Sequence, residues 1–174
     1  MELRGKTLGL LGLGNIGCEV ARIGHAFGME TIAWSQNLTA EKAEQHGAVR
    51  VEKSELFRRS DVLSIHLVLS DRSRGIVGAD ELALMKPTAY LVNTSRGPLV
   101  KEADLVATLR DRRIAGAAVD VYDAEPAPAD HPFRALPNVL ATPHIGYVSE
   151  EMYRVFYGDT VRNVLAWLDS AAPS

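Results

Sequence analysis

The chain has little of what would mark several large classes of protein. Its 174 residues hold a single cysteine, Cys18. No internal disulfide can form, and the expected setting is a reducing cytoplasm. Cys18 lies in an apolar stretch of helical spacing, where a packed thiol is the expected role. No apolar run approaches the roughly 20 residues that cross a bilayer, and the first residues carry no signal-peptide pattern. The formal net charge is -3, so there is no basic surplus to recruit nucleic acid or an anionic membrane, and neither is expected as a partner. Arg110-Asp111-Arg112-Arg113 reads as a solvated helix end whose cations suit the helix dipole. The histidines, acids and Cys18 show no metal-ligand spacing, so no metal is expected.

What is present is ordinary globular composition, 47% hydrophobic and 24% charged. One domain over residues 1–174 is the expectation, long enough to bury a core. Strand-length apolar runs alternate with segments of helical period. Thr7–Leu11, Glu30–Trp34, Val62–Leu69, Ala89–Asn93, Ile114–Val121 and Val139–Thr142 read as strands, with a brief one near Val49–Val51. Ile16–Phe27, a helix capped by Thr39 and running through Gln45, Lys53–Arg59, Ala79–Met85, Lys101–Asp111 and a closing helix from Ser149 to about Leu168 read as helices. In the first, Ile16, Val20, Ile23 and Phe27 recur at helical spacing, and Gly28 suits its end. In the last, Tyr153, Phe156, Val164 and Trp167 mark an apolar side. Strands alternating with helices predict an α/β fold, a doubly wound parallel sheet of the Rossmann type joined by right-handed crossovers.

Gly12-Leu13-Gly14-Asn15-Ile16-Gly17 follows a strand and opens a helix. The first glycine permits a tight turn, the second lets backbone approach a pyrophosphate, and the third lets helix and strand pack closely. Free N–H groups and the helix dipole then face the phosphates. Gly12, Gly14, Asn15, Ile16 and Gly17 are therefore candidate cofactor-binding residues. The second strand ends in Trp34-Ser35-Gln36-Asn37 without the acid that usually takes the ribose hydroxyls. Ser35 can bond a hydroxyl or a phosphate, yet no arginine stands beside it, so NAD and NADP both remain open. Trp34 reads as strand-end packing. His25, His46 and His131 read as helix-surface or loop residues, and His66 as a satisfied polar strand end.

Three later segments put polar groups past the carboxyl ends of strands, the edge where open α/β sheets bind ligands. They are Val92-Asn93-Thr94-Ser95-Arg96-Gly97-Pro98, Val119-Asp120-Val121-Tyr122-Asp123-Ala124-Glu125-Pro126 and Thr142-Pro143-His144-Ile145-Gly146. Arg96 has a planar fork of donors suited to a carboxylate. His144 can give or take a proton near neutral pH.

The ordered motifs GLGNIG, VNTSRGPLV, AAVDVYDAEP and TPHIGY resemble the D-isomer-specific 2-hydroxyacid dehydrogenases, over nearly the whole chain from Leu3 to Leu168. The resemblance implies catalytic roles for Arg96, Glu125 and His144, with Glu125 favouring the imidazolium of His144. It implies that Asp120 holds the nicotinamide carboxamide and that Thr94 lies against the nicotinamide. The expected cofactor is NAD, with NADP possible, and the expected partners are a small 2-keto or 2-hydroxy acid and a second copy in a homodimer. A full family member is about twice as long, and both ends of this chain fall at the family's domain boundaries. The expectation is a cofactor half without its substrate domain, weakly active or inactive alone. The alternative is a non-catalytic NAD(H)-binding sensing or interaction module, because the family also includes corepressors that bind NADH.

Overall fold

The computed structural model describes residues 2–171. These form two compact units, residues 2–143 and 144–171. In the first, strands and helices alternate as β1 (Thr7–Leu11), α1 (Asn15–Ala26), β2 (Glu30–Trp34), α2 (Ala40–Gln45), β3 (Val49–Arg50), α3 (Lys53–Arg59), β4 (Val62–Ile65), α4 (Ala79–Leu84), β5 (Tyr90–Asn93), α5 (Glu102–Arg110), β6 (Gly116–Val119) and β7 (Val139–Ala141). The sheet is parallel throughout, in the order β3-β2-β1-β4-β5-β6-β7. The doubly wound reading is confirmed, with the reversal of strand order falling between β1 and β4. At that point crossovers leave in opposite directions and open a crevice at the strands' carboxyl ends.

Strand β1 shows why both faces are covered. Leu8 and Leu10 belong to one buried cluster with Ala21 and Ala43 of the first two helices. Leu11 belongs to a second, with Leu56, Phe57, Leu82 and Leu105. Alternate side chains of a strand point to opposite faces, so an apolar run is what a doubly covered strand requires.

Helix α1 packs through its small residues. Gly17, Ala21 and Gly24 are its buried positions, and a Cβ on Gly24 would come within 2.6 Å of Leu8 Cδ2. The recurring Ile16, Ile23 and Phe27 instead face solvent, at 69%, 47% and 57% exposure. Apolar spacing located the helix but marked its outer side. The inner side had to be small for helix and strand to approach.

Two expected strands are shorter in the structure. The run Val62–Leu69 leaves the sheet after Ile65, whose partners Leu11 and Asn93 end the neighbouring strands. Ile114–Val121 is pared to Gly116–Val119, paired with Tyr90–Asn93. Apolar content outlasts pairing because Leu67 and Leu69 past β4 still pack on the core and Val121 past β6 is buried, although Val68 faces solvent. Thr39 caps α2 as expected, its hydroxyl accepting from the Lys42 amide at 3.2 Å.

The second unit carries α6 (Glu150–Ala171), three residues longer than expected. Ser149 Oγ accepts from the Met152 amide at 3.2 Å, the expected cap. Tyr153 stacks on Tyr157 with ring centres 5.7 Å apart. No described helix is long and apolar enough to cross a membrane.

Candidate functional site

The glycine turn sits where β1 hands the chain to α1. Gly12 has φ +109, a left-handed conformation, and a Cβ there would meet the His66 carbonyl at 2.8 Å. Only a glycine satisfies both the angle and the contact. Its amide donates to the Trp34 carbonyl at 2.9 Å, tying the turn to the end of β2. A Cβ on Gly17 would lie 2.3 Å from the Gly12 oxygen, so the helix starts pressed against the turn. Gly14 differs from both, because a Cβ there would have no neighbour within 4 Å.

That open space borders a cleft of about 460 Å³. Gly12, Leu13 and Gly14 form its floor, Trp34–Leu38 one wall, and His66–Val68 with Ser70, Arg72, Ser73 and Ile76 the other. Gly14 caps α1 without a side-chain hydrogen bond, and the first helical amide to bond back is Cys18 to Gly14, at 2.9 Å. The amides of Asn15, Ile16 and Gly17 thus lack helical acceptors and open at a positive helix end. A pyrophosphate fits that arrangement. Ser35 is half-buried in the wall, and Ile16 is exposed at the helix start. Trp34 lines the cleft while packing on the core, so its strand-end role holds.

His66 forms part of the wall, its Nε2 2.9 Å from Ser64 Oγ. Burial pushes its pKa down, which favours a neutral imidazole. The polar strand end is satisfied, as expected, and it also shapes the cleft.

From the cleft, successive loops are latched together along the carboxyl edge. Ser95 Oγ donates to the Leu67 carbonyl at 2.8 Å, joining the loops after β4 and β5. Asn93, 2% exposed, donates through Nδ2 to the Arg96 carbonyl at 3.0 Å and accepts from the Ser95 amide at 3.1 Å. Its amide group thereby holds the loop that displays Thr94 and Arg96, both exposed. Arg96 Nη1 donates to the Ser95 carbonyl at 2.6 Å. No carboxylate pairs with this guanidinium among the described residues.

Gly97 then brings this loop against the one after β6, where a Cβ would lie 2.1 Å from the Tyr122 carbonyl. In that second loop the Tyr122 amide donates to Glu125 Oε1 at 2.9 Å, fixing the exposed glutamate. Asp120 is 4% exposed and accepts from Thr142 Oγ1 at 2.5 Å. Tyr122 donates its hydroxyl to the Thr142 carbonyl at 2.8 Å, so the end of β7 joins the same edge. Burial raises the Tyr122 pKa, which keeps that hydroxyl a donor. The structure therefore brings Arg96, Asp120 and Glu125 onto adjoining loops of one unit. His144 opens the second unit, half-buried with φ +56, its ring centre 6.1 Å from that of Tyr147.

The match to known proteins bears on the same span. Residues 1–146 fit the family model of the D-isomer specific 2-hydroxyacid dehydrogenase, NAD binding domain. This chain belongs to that family. Its glycine turn, arginine loop and glutamate loop lie within the matched span. The chain is 44% identical to a glyoxylate reductase of Aeropyrum pernix over 173 residues, 99% of this chain and 52% of that one. It resembles the phosphoglycerate oxidoreductase of Vibrio cholerae with TM-score 0.92 and 42% identity, covering 98% of this chain and 55% of the other. A D-isomer specific 2-hydroxyacid dehydrogenase from Lactobacillus delbrueckii, solved in an NAD-complexed form, gives TM-score 0.83 and 28% identity over 99% of this chain and 56% of that one. The chain thus spans about half the length of these relatives.

Sequence reading missed Lys42, Ser70, Arg72 and Ser73 as cleft residues. None lies in a motif, although Ser70 to Ser73 follow a strand's carboxyl end, which is a usable signal. It also missed the hidden character of His131. That residue is 5% exposed, its Nε2 3.1 Å from Glu102 Oε1 and its ring among Tyr122 and Phe133. A histidine in a proline-rich loop gives no outward sign of such burial.

Proposed function

We propose that residues 1–174 are the dinucleotide-binding domain of an oxidoreductase that exchanges a hydride between NAD(H) and a small D-2-hydroxy acid or its 2-keto partner. The observation that carries this is the close approach of Gly97 to Tyr122, which couples the Arg96 loop to the Glu125 loop beside the glycine-turn cleft. The names of the relatives, a glyoxylate reductase among them, agree with a small 2-keto acid.

When bound, the nicotinamide supplies the redox step. Gly12, Gly14, Asn15, Ile16 and Gly17 bind the pyrophosphate through backbone N–H groups, and Ser35 bonds the adenosine ribose. Thr94 and Asp120 position the nicotinamide, Asp120 through its carboxamide. Arg96 holds the substrate carboxylate with the guanidinium donors that Ser95 leaves available. His144 exchanges the proton at the substrate oxygen, with Glu125 as the third catalytic residue. Arg96 and Glu125 are exposed, whereas reduction needs reactants held out of water. The 174-residue chain alone is therefore expected to bind cofactor and turn over slowly.

The test is glyoxylate- or hydroxypyruvate-dependent oxidation of NADH by this domain joined to the remaining half of a relative such as the glyoxylate reductase. Turnover that Arg96→Ala lowers by about 10²-fold or more supports the reading. Tight NADH binding with no turnover on any small 2-keto acid would instead identify a binding module.

We further propose a cytoplasmic homodimer. The lone Cys18 supports the reducing setting, and the solvent-facing Ile16, Ile23 and Phe27 support a second copy as partner. Sedimentation equilibrium tests the dimer.

A further inference from the structure

The wall of the cleft beyond the glycine turn carries an unusual balance of charge. Strand β2 ends at Trp34, and Ser35, Gln36 and Asn37 continue along the cleft. A carboxylate at this point usually takes the ribose hydroxyls and repels a 2′-phosphate. Here no Asp or Glu is among the residues lining the cleft.

Two cations are among them, each brought in from a different element. Lys42 comes from α2, and Arg72 from the segment after β4. Both are exposed, and among the described residues neither side chain has an ion pair or hydrogen-bond acceptor. Glu41 and Asp71, their sequence neighbours, are not part of the lining. The Ser35 hydroxyl likewise has no protein partner among the described residues.

An unphosphorylated ribose offers these groups only neutral hydroxyls. A 2′-phosphate brings a charge of about -1.5 to -2 and three strong acceptor oxygens. An arginine fork, a lysine point charge and a serine donor make a complementary set for it. Opposite charges also draw such a ligand toward the cleft.

We infer that this cleft binds the 2′-phosphorylated dinucleotide, NADP(H), at least as tightly as NAD(H), with Ser35, Lys42 and Arg72 taking the phosphate. The inference rests on the reading of the cleft as the dinucleotide site. Sequence neighbours of Ser35 did not reveal it, because both cations arrive from elsewhere in the chain.

Calorimetric titration of the 174-residue chain with NADPH and with NADH tests it. NADPH should bind as tightly as NADH or tighter, and its affinity should fall more steeply with added salt. In Lys42→Ala/Arg72→Ala, the ratio of NADPH to NADH affinity should drop about tenfold or more, a change of about 1.4 kcal/mol. Ser35→Asp should move the same ratio the same way, and supplies the readout if the double variant does not fold by circular dichroism. NADPH binding about tenfold weaker than NADH in the unaltered chain overturns the inference and leaves the NAD cleft standing. A ratio unmoved in the folded variants also overturns it. Saturation by neither dinucleotide overturns the cleft reading and the inference with it.

Discussion

Gly97 lies so close to Tyr122 that a Cβ on it would sit 2.1 Å from the Tyr122 carbonyl carbon and oxygen. The contact joins two loops whose residues are far apart in sequence, one presenting Arg96 and the other Glu125. Backbone on both sides leaves no flexible side chain to yield. Gly97→Ala is therefore expected to push the loops apart and to destabilise by about 1–3 kcal/mol. Denaturant unfolding measures the cost. Under the proposed function, kcat/KM for a 2-keto acid should fall further than NADH affinity does. An alanine variant as stable as the parent would show that the loops part freely.

The glycine turn allows a sharper contrast. Gly14→Ala adds a methyl group where the structure has no neighbour within 4 Å, so unfolding should barely change. Dinucleotide affinity should drop about tenfold or more, because the methyl enters the space offered to the phosphates. Gly12→Ala meets both a left-handed φ of +109 and the His66 backbone at 2.8 Å, so it should lose stability as well as binding. Equal behaviour of the two variants in thermal unfolding and NADH titration would contradict this division.

Acid should weaken the fold through two carboxylates. Burial works to raise the Asp61 pKa, but Lys86 at 2.8 Å and the Thr7 amide at 2.8 Å outweigh it and hold the group below its ordinary 3.8. Burial likewise works to raise Glu81, and Lys53 with the Gly78 amide holds it below its ordinary 4.5. The folded form thus binds fewer protons than the unfolded chain in this range. The stabilisation is complete above about pH 5 and is lost as the pH falls through the depressed values. Asp61→Asn should cost about 1–3 kcal/mol at neutral pH and should flatten the acid limb of a stability–pH curve. An acid limb as steep as the parent's would rule Asp61 out as a cause.

Asp123 has the opposite sign. Partial burial and then the neighbouring Glu102 carboxylate raise its pKa. Ionised at neutral pH, it opposes folding, and protonation removes the opposition. Asp123→Asn should stabilise by a few tenths of a kcal/mol at neutral pH, about the scale of an exposed charge pair. The gain should vanish in acid. Thermal unfolding at both pH values checks it, and a gain independent of pH would point away from charge.

Much of this was legible in the chain itself. The alternation of apolar runs and helical spacing located every strand of the sheet, and glycine spacing marked the tight turn from β1 into α1 before any geometry. The polar residues after three strands pointed to one edge, because parallel strands all end on the same side. Boundaries were less legible. Ile65 and Val119 end their strands where their partners end, and no local feature of Val62–Leu69 or Ile114–Val121 records a neighbour's length. The outward Ile16, Ile23 and Phe27 misled for a related reason, since what a helix face meets is set by the element beside it.

By itself the sequence determined the order of elements, the parallel doubly wound sheet and the motifs of a 2-hydroxyacid dehydrogenase's NAD-binding domain. These follow from local periodicity and short-range backbone needs, which are written residue by residue. Tertiary structure alone decided that Gly97 abuts Tyr122, that Ser95 latches onto Leu67, and that Arg72 shares a cleft with Ser35 and Lys42. Those relations join residues tens of positions apart, and only the packing of the sheet and its crossovers sets the distances between them.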